Sequence, residues 1–300
     1  MINLNKKQQK FLITGGTGFI GSKLVEEILK DGHFVEVLTR KNLISDQKKL
    51  KYIQNLNNNF DYDIVINLCG EPISVRWSKK TKEKIYNSRI NLTNELVNLI
   101  KNSNNPPKLF ISGSAIGYYG TSDQLIFDED SNPTTQNLFS QKICFNWEES
   151  ARKVTDKTRV AIIRTGVVVG KNGGIIKKML LPFKLGLGGK IGLANQYLSW
   201  IALEDEIAAI NHIINNESLS GAINLTAPSV TTNKIFSKTL AKILNRPCFF
   251  DMPEFIVKIL FGQMGEELLL NGQNVYPKKL LQSGYQFKIK SLDEAILKAL

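Results

Sequence analysis

The segment Thr14-Gly15-Gly16-Thr17-Gly18-Phe19-Ile20-Gly21 constrains this chain more than any other, because it joins two runs of different period. Residues 10–14 are apolar from Phe11 to Ile13, as a buried strand is, and residues 19–30 repeat apolar side chains at helical spacing. Glycines between such runs meet three separate needs. Gly15 allows a tight turn, Gly18 lets the backbone approach a pyrophosphate, and Gly21 lets helix and strand pack closely. The helix start adds free N–H groups and the positive end of its dipole. This strand–glycine–helix context predicts a dinucleotide site at Gly15, Thr17, Gly18, Phe19, Ile20 and Gly21.

The rest of the first half repeats the rhythm. Apolar, β-branched runs at 34–39, 63–68, 108–112 and 159–164 alternate with helical patterns, the longest at 81–100, where Ile85, Leu92, Leu96 and Leu99 share a face. Strands that are apolar throughout and separated by helices define an α/β fold, a Rossmann-type doubly wound parallel sheet covered on both sides. After about residue 164 glycines at 173, 174, 186, 188, 189 and 192 break the rhythm. Helical patterns at 203–215, 232–244, 253–261 and 291–300 follow, with one short strand at 222–225 and a capping-box pair, Ser291 and Glu294. The expected division is a dinucleotide-binding domain at 1–165 and a smaller, mixed α/β C-terminal lobe at 166–300.

The end of the second strand selects the dinucleotide. NAD sites carry an Asp or Glu there to hold the ribose hydroxyls, whereas this chain has Thr39-Arg40-Lys41. A guanidinium pairs with a 2′-phosphate through its planar fork, so the expected cofactor is NADP(H). The alternative is that Arg40 only stacks on adenine. Further along, Leu68-Cys69-Gly70 ends the third strand beneath the adenosine half, and Val168, after the last strand, approaches the nicotinamide half.

Composition narrows the partners. The net charge is +12, but the excess is nearly all lysine spread along the chain, without an arginine-rich run or basic–aromatic interleaving. This points away from nucleic acid and leaves a surface that attracts anionic small molecules. Cys69, Cys144 and Cys248 are far apart, and only His33 and His212 accompany them, so no metal site is expected. No apolar run is long enough to span a membrane, and Met1 to Lys10 is polar and basic. A cytoplasmic monomer or homodimer with a small-molecule substrate, no nucleic acid and no membrane partner is the reading that results.

Motifs along nearly the whole chain resemble the extended short-chain dehydrogenases/reductases, and more closely their atypical branch of "epimerase family" proteins. The matching stretches are 15–21, Asn67-Leu-Cys-Gly-Glu-Pro-Ile73, Arg76-Trp77, Ser88-Arg89, 112–120, Trp147-Glu148, 164–170, 182–192, Ser199-Trp200-Ile201 and 224–228, with Gly272-Gln273 and Pro277 in a C-terminal region of that branch's own kind. The resemblance implies an NADP(H)-bound core with cofactor contacts at Thr39, Arg40, Leu68, Cys69, Arg89 and Val168.

It also exposes a gap. Typical members use a Ser and a Tyr-x-x-x-Lys pair, the lysine lowering the phenol from about 10 so that it moves a proton near neutrality. Ser114 fits the serine and Asn91 the family's helix asparagine, but the Tyr and Lys positions fall on Ser140 and Cys144. Candidate substitutes are Tyr119 as acid/base, Ser114 as a substrate-bonding group, and Glu71, Arg76, Tyr118, Gln196 and Trp200 as pocket residues. Nucleotide-sugar substrates need cations in the second lobe, and from residue 165 onward Arg246 is the one arginine, with Lys184 and Lys190 as weaker substitutes. Two functions therefore compete. One is an NADP(H)-dependent oxidoreductase or epimerase-like enzyme on a small polar carbonyl or sugar. The other is a non-catalytic NADP(H)-binding redox sensor or regulatory protein.

Overall fold

The structure, a computed structural model, describes residues 8–57, 60–134 and 136–300; most of the polar N-terminal stretch noted above, residues 1–7, lies outside them. The chain runs β1 (Lys10–Thr14), α1 (Phe19–Lys30), β2 (Phe34–Leu38), β3 (Leu50–Ile53), β4 (Ile64–Asn67), α2 (Lys79–Asn102), β5 (Leu109–Ala115), a 3₁₀ turn (Ile116–Tyr119), β6 (Ile126–Phe127), α3 (Phe139–Arg152) and β7 (Arg159–Thr165). It continues through β8 (Val167–Val169), α4 (Gly174–Lys184), β9 (Tyr197–Leu198), β10 (Trp200–Ala202), α5 (Leu203–Asn215), β11 (Gly221–Leu225), β12 (Thr231–Thr232) and α6 (Asn233–Leu244). Last come α7 (Glu254–Phe261), α8 (Gln263–Leu268), β13 (Asn274–Val275), α9 (Lys278–Gln282) and α10 (Leu292–Ala299).

Seven strands form one parallel sheet in the order β11-β7-β5-β4-β1-β2-β3. The period of two along each strand feeds two cores. Phe11, Ile13, Ile64, Ile66, Ile111 and Ile163 face α1 and α5, while Leu12, Val65, Phe110, Val160 and Ile162 face α2 and α3. Burial on both faces explains why these runs lack polar alternation.

Besides several two- and three-residue strands and the short helices α8 and α9, the sequence pattern misses β3, α3 and α4, each for a local reason. β3 is short, half-buried and carries Lys51 and Tyr52, so it has no continuous apolar run. α3 buries Ser140, Gln141, Glu148 and Ser150 beside Ile143 and Trp147, which hides its apolar stripe. α4 begins at the glycine pair and holds Pro182 near its end, where a missing N–H removes a single bond of the last turn. The seventh strand, β11, comes from beyond the boundary expected at 165/166 and pairs with β7 from Gly221↔Ala161 to Leu225↔Thr165. The remainder of the C-terminal part packs α4, α6 and α10 around Trp200, Phe236 and Ile296. Its last helix is capped by Ser291, whose Oγ accepts the Glu294 N–H at 3.2 Å, as the sequence pair implies.

Candidate active site

The carboxyl edge of the sheet holds a backbone cradle. Gly15 has φ +73°, and a Cβ there would lie 2.7 Å from the Leu68 carbonyl, so the loop after β1 rests directly on the end of β4. The Gly18 N–H donates to the Gly15 carbonyl at 2.9 Å, and α1 opens at Gly18 without a side-chain cap. The first-turn amides of Phe19, Ile20 and Gly21 therefore point away from the helix, free for an anion. Beneath them Thr14 Oγ1 donates to Asn67 Oδ1 at 2.6 Å and accepts the Cys69 N–H at 3.3 Å. Asn67 Nδ2 in turn donates to Thr93 Oγ1 at 2.8 Å, tying β1, β4 and α2 together below the cradle.

Above the cradle lies a cleft of about 540 Å³, with Thr17, Gly18 and Phe19 on one side and Lys171, Lys177 and Lys178 on the other. The turn into α4 folds onto the loop: a Cβ on Gly173 would sit 2.0 Å from the Phe19 ring. A Cβ on Gly174 would lie 2.1 Å from the carbonyl oxygen of Val168, itself buried in β8 beside Ile201 of β10. Lys178 donates to the Ser74 hydroxyl and, at 3.3 Å, to its carbonyl, joining α4 to the segment after β4.

At the adenosine end Thr39 closes β2, its N–H donating to the Ile53 carbonyl at 2.9 Å. The exposed Arg40 guanidinium meets Glu71 Oε1 at 2.8 Å. Glu71 was expected in the substrate pocket; it stands instead beside the residue expected to hold the 2′-phosphate. Arg89 lies against Gly70, where a Cβ would be 2.7 Å from its guanidinium carbon, and over the Trp147 ring at 5.3 Å. It donates to the Ile85 carbonyl at 3.1 Å and forms no ion pair among the described residues, and burial pushes its pKa down. Asn91, which fits the family's helix asparagine, lies two residues further along α2 and is exposed.

The two catalytic candidates belong to a closed network behind this crevice. Ser114 Oγ donates to Glu148 Oε1 at 2.8 Å. Arg164 holds both Glu148 oxygens, through Nε and one terminal nitrogen, each at 2.8 Å, and its other nitrogen donates to the Tyr119 hydroxyl at 2.9 Å. Tyr119 donates to Asn224 Oδ1 at 2.8 Å. Tyr118 stacks its ring 3.5 Å from the Arg164 guanidinium carbon. All five hydrogen-bonded side chains, at 114, 119, 148, 164 and 224, are buried. Burial pushes the Tyr119 phenol up to about 12, and Arg164 pulls against that only in part. The network is built by register: Ser114 and Arg164 are direct partners on β5 and β7, a pairing that ordering the strands in sequence does not give.

The remaining candidates are placed as follows. Ser140 donates from both N–H and Oγ to Glu267 Oε2, at 2.9 and 2.7 Å. Cys144 is buried, and burial pushes its thiol up to about 12. Arg76 donates to the Ile259 and Leu260 carbonyls at 2.7 Å each, clamping the end of α7 to the cofactor side. Gln196 Nε2 donates to the Ile191 and Leu269 carbonyls, so it joins loops of the C-terminal part. Trp200, expected as a pocket wall, is 1% exposed and belongs to the core of the C-terminal part. No group of metal-binding side chains occurs among the described residues.

A glycine cradle at the end of the first strand of a seven-stranded parallel sheet, with the crevice closed by a C-terminal lobe, defines an extended short-chain dehydrogenase/reductase architecture. The pattern of the NAD dependent epimerase/dehydratase family matches residues 11–225, and that of a domain of unknown function, DUF1731, matches 252–299. The chain belongs to this epimerase/dehydratase family, in its atypical branch.

An epimerase family protein of Staphylococcus aureus (strain MRSA252) is 37% identical over 295 residues, covering 96% of this chain and 98% of its own. Another, of Bacillus subtilis (strain 168), is 37% identical over 292 residues, or 95% of each. The crystal structure of human epimerase family protein SDR39U1 with NADPH superimposes with a TM-score of 0.88 at 33% identity, covering 97% of this chain and 98% of that one.

Proposed function

We propose that the protein binds NADPH in preference to NADH along the carboxyl edge of its sheet, and that it acts as an NADP(H)-dependent oxidoreductase or epimerase-like enzyme on a small polar carbonyl or sugar. The observation that carries the cofactor reading is the cradle 15–21 with Arg40 just beyond the end of β2 and no carboxylate at positions 38–41. The human relative solved with NADPH supports it. The amides of α1's first turn would hold the pyrophosphate, and Arg40, now paired with Glu71, would hold the 2′-phosphate. When bound, the nicotinamide supplies or accepts a hydride. Arg89, a cation beside Gly70 and Trp147 with no carboxylate partner among the described residues, would orient and stabilise negative charge at the crevice. Calorimetric titration with NADPH and NADH tests the cofactor reading, and equal affinities would refute it.

The second reading, a non-catalytic NADP(H)-binding sensor or regulatory protein, is favoured by a different observation. The hydroxyls of Ser114, Tyr119 and Ser140 are each committed to a buried or half-buried acceptor, and the Cys144 thiol is buried. A screen of small carbonyls and sugars by NADPH absorbance separates the two. Hydride transfer to any of them supports the enzyme, whereas its absence with intact NADPH binding supports the sensor.

A further inference from the structure

The cleft above the cradle has cations on both of its walls. Lys23 stands on α1, and Lys171, Lys177 and Lys178 stand on the turn into α4 and on its first half, with no acidic side chain in the lining. Lys23 is held by Glu26 at 2.7 Å, and Lys178 leans on Ser74. Lys171 and Lys177 are exposed and form no ion pair among the described residues. Single lysines scattered over a surface are ordinary, because water solvates each of them. Lysines gathered around one concavity raise the potential inside it, and an anion that enters relieves their repulsion.

The backbone adds to the same field. α4 opens at Gly173 without a side-chain cap, as α1 does at Gly18, and neither helix carries an acid in its first turn. The first bond of the α4 ladder runs from the Lys177 N–H to the Gly173 carbonyl at 3.2 Å. The amides of Gly174, Ile175 and Ile176 therefore have no intrahelical acceptor. Two helix starts, each the positive end of a dipole, border one cleft. Their spacing is fixed, because Phe19 fills the space that a side chain on Gly173 would need. The left-handed backbone of Asn172 and Gly174, with φ +64° and +59°, makes the turn that brings the start of α4 there. The dinucleotide proposed above carries its pyrophosphate on α1's side of this cleft. Resting on that reading, we propose that Lys171, Lys177 and Lys178, with the first-turn amides of α4, form a second wall that clamps the pyrophosphate from the C-terminal part of the chain. In the sequence, the glycines at 173 and 174 read only as a break in rhythm; the fold lays them beside the first loop.

Titration of the full chain with NADPH and with NADH, followed by the fluorescence of the reduced nicotinamide, tests the clamp. The pyrophosphate is common to the two dinucleotides, so loss of the lysines should weaken both alike and leave the ratio between them unchanged. The double variant Lys171→Gln/Lys177→Gln should lower each affinity by at least ~10-fold, and Lys178→Gln should lower both in the same proportion. Lys101→Gln/Lys234→Gln removes as much charge from exposed positions outside the cleft, and it should bind as the parent does. Circular dichroism that matches the parent checks that each variant is folded. Cleft variants that bind both dinucleotides as tightly as the parent would overturn the clamp. So would a loss confined to NADPH, which would place the lysines at the 2′-phosphate. An equal loss in Lys101→Gln/Lys234→Gln would overturn it too, since the effect would then belong to the total charge. A parent protein that binds neither dinucleotide would refute the cofactor reading itself, and the clamp with it.

Discussion

Arg40 and Glu71 are bound to each other, guanidinium to carboxylate at 2.8 Å, across the ends of β2 and β4. An arginine expected to meet a 2′-phosphate is thus paired with a carboxylate that competes for it. Arg40 is exposed, and such a pair contributes at most about 1 kcal/mol, so a phosphate that accepts two bonds displaces Glu71 readily. NADPH should therefore bind at least ~10-fold tighter than NADH. Arg40→Asp should erase the preference. Glu71→Gln should tighten NADPH by up to ~5-fold, with less effect on NADH. Calorimetric titration of the three proteins reads all of this, and a Glu71→Gln variant with weakened NADPH binding would show Glu71 to be a ligand instead of a competitor.

The contact between Gly173 and Phe19 yields a second expectation. A methyl group at 173 would fall 2.0 Å from the ring, and Phe19 is the first residue of α1. Gly173→Ala must displace that ring or the turn into α4, and the first-turn amides move with it. NADPH affinity should fall by ~10-fold or more, since misplaced donors lose charge-assisted bonds, while circular dichroism stays near that of the parent protein.

The cofactor cradle was legible in the sequence because every requirement there is local. The strand, the glycines and the helix are contiguous, and the observed α1, Phe19–Lys30, has the bounds its spacing predicts. The catalytic candidates failed to read the same way because their partners are remote. Ser114 follows the family serine in sequence, yet its environment is decided by Glu148 on α3 and by Arg164 across the β5–β7 register. Tyr119 follows that serine by five positions but bonds Asn224, 105 positions away. Trp200 reads as an aromatic in a motif and becomes core because β10 pairs with β8. Strand pairing and the return of β11 to the sheet are global facts, and no window of sequence contains them.

The Glu148–Arg164 pair should be among the most sensitive positions in the protein. Both side chains are almost fully buried, at 1% and 3% exposure, and their bidentate contact satisfies most of their polar atoms. Glu148→Gln removes the charge that compensates a buried guanidinium, which costs about 3–5 kcal/mol. Replacing both, as Glu148→Leu with Arg164→Met, should recover part of that loss, because no buried charge then remains; Ser114 and Tyr119 each lose a partner, and the half-exposed Arg152, 3.0 Å from Glu148, turns to solvent. Urea unfolding of the two variants measures the difference, and equal stability of single and double variants would show that the pair is not coupled.

Glu206 makes stability depend on pH. It sits at the start of α5, fully buried, with Thr165 Oγ1 donating to one oxygen at 2.8 Å and no partner for the other. Burial pushes its carboxyl up from 4.5 to about 8, and the Thr165 bond opposes that only partly. A folded-state pKa raised above the unfolded value means that the folded protein holds the proton more tightly. Its contribution is therefore complete below the unfolded pKa of 4.5 and is lost as pH rises towards about 8. The protein should lose a few kcal/mol, on the order of 2–4, between these limits. Glu206→Gln should flatten the dependence and be the more stable form at the alkaline end. Urea midpoints measured across that window check the sign, and a wild-type curve that rises with pH through the window would contradict it.

Tyr119 is the residue where sequence and structure diverge most. As an acid/base it would need access to a substrate and a phenol that ionises, but it is fully buried, its proton is directed at Asn224, and burial holds it near 12. Its hydroxyl also accepts from Arg164 at 2.9 Å, so it bridges β7 and β11 through their side chains. A positioning role follows from this geometry. Tyr119→Phe takes a partner from a buried Arg164 nitrogen and from the buried Asn224 oxygen, a loss of about 1–3 kcal/mol. NADPH affinity should be unchanged, because the cradle is tied down separately through Thr14, Asn67 and Thr93. Any turnover found should keep its pH profile in the variant, since no proton passes through this phenol. Unfolding midpoints, NADPH titration and the pH profile together decide the matter. A stable Tyr119→Phe protein that binds NADPH but has lost hydride transfer would restore tyrosine as the proton donor.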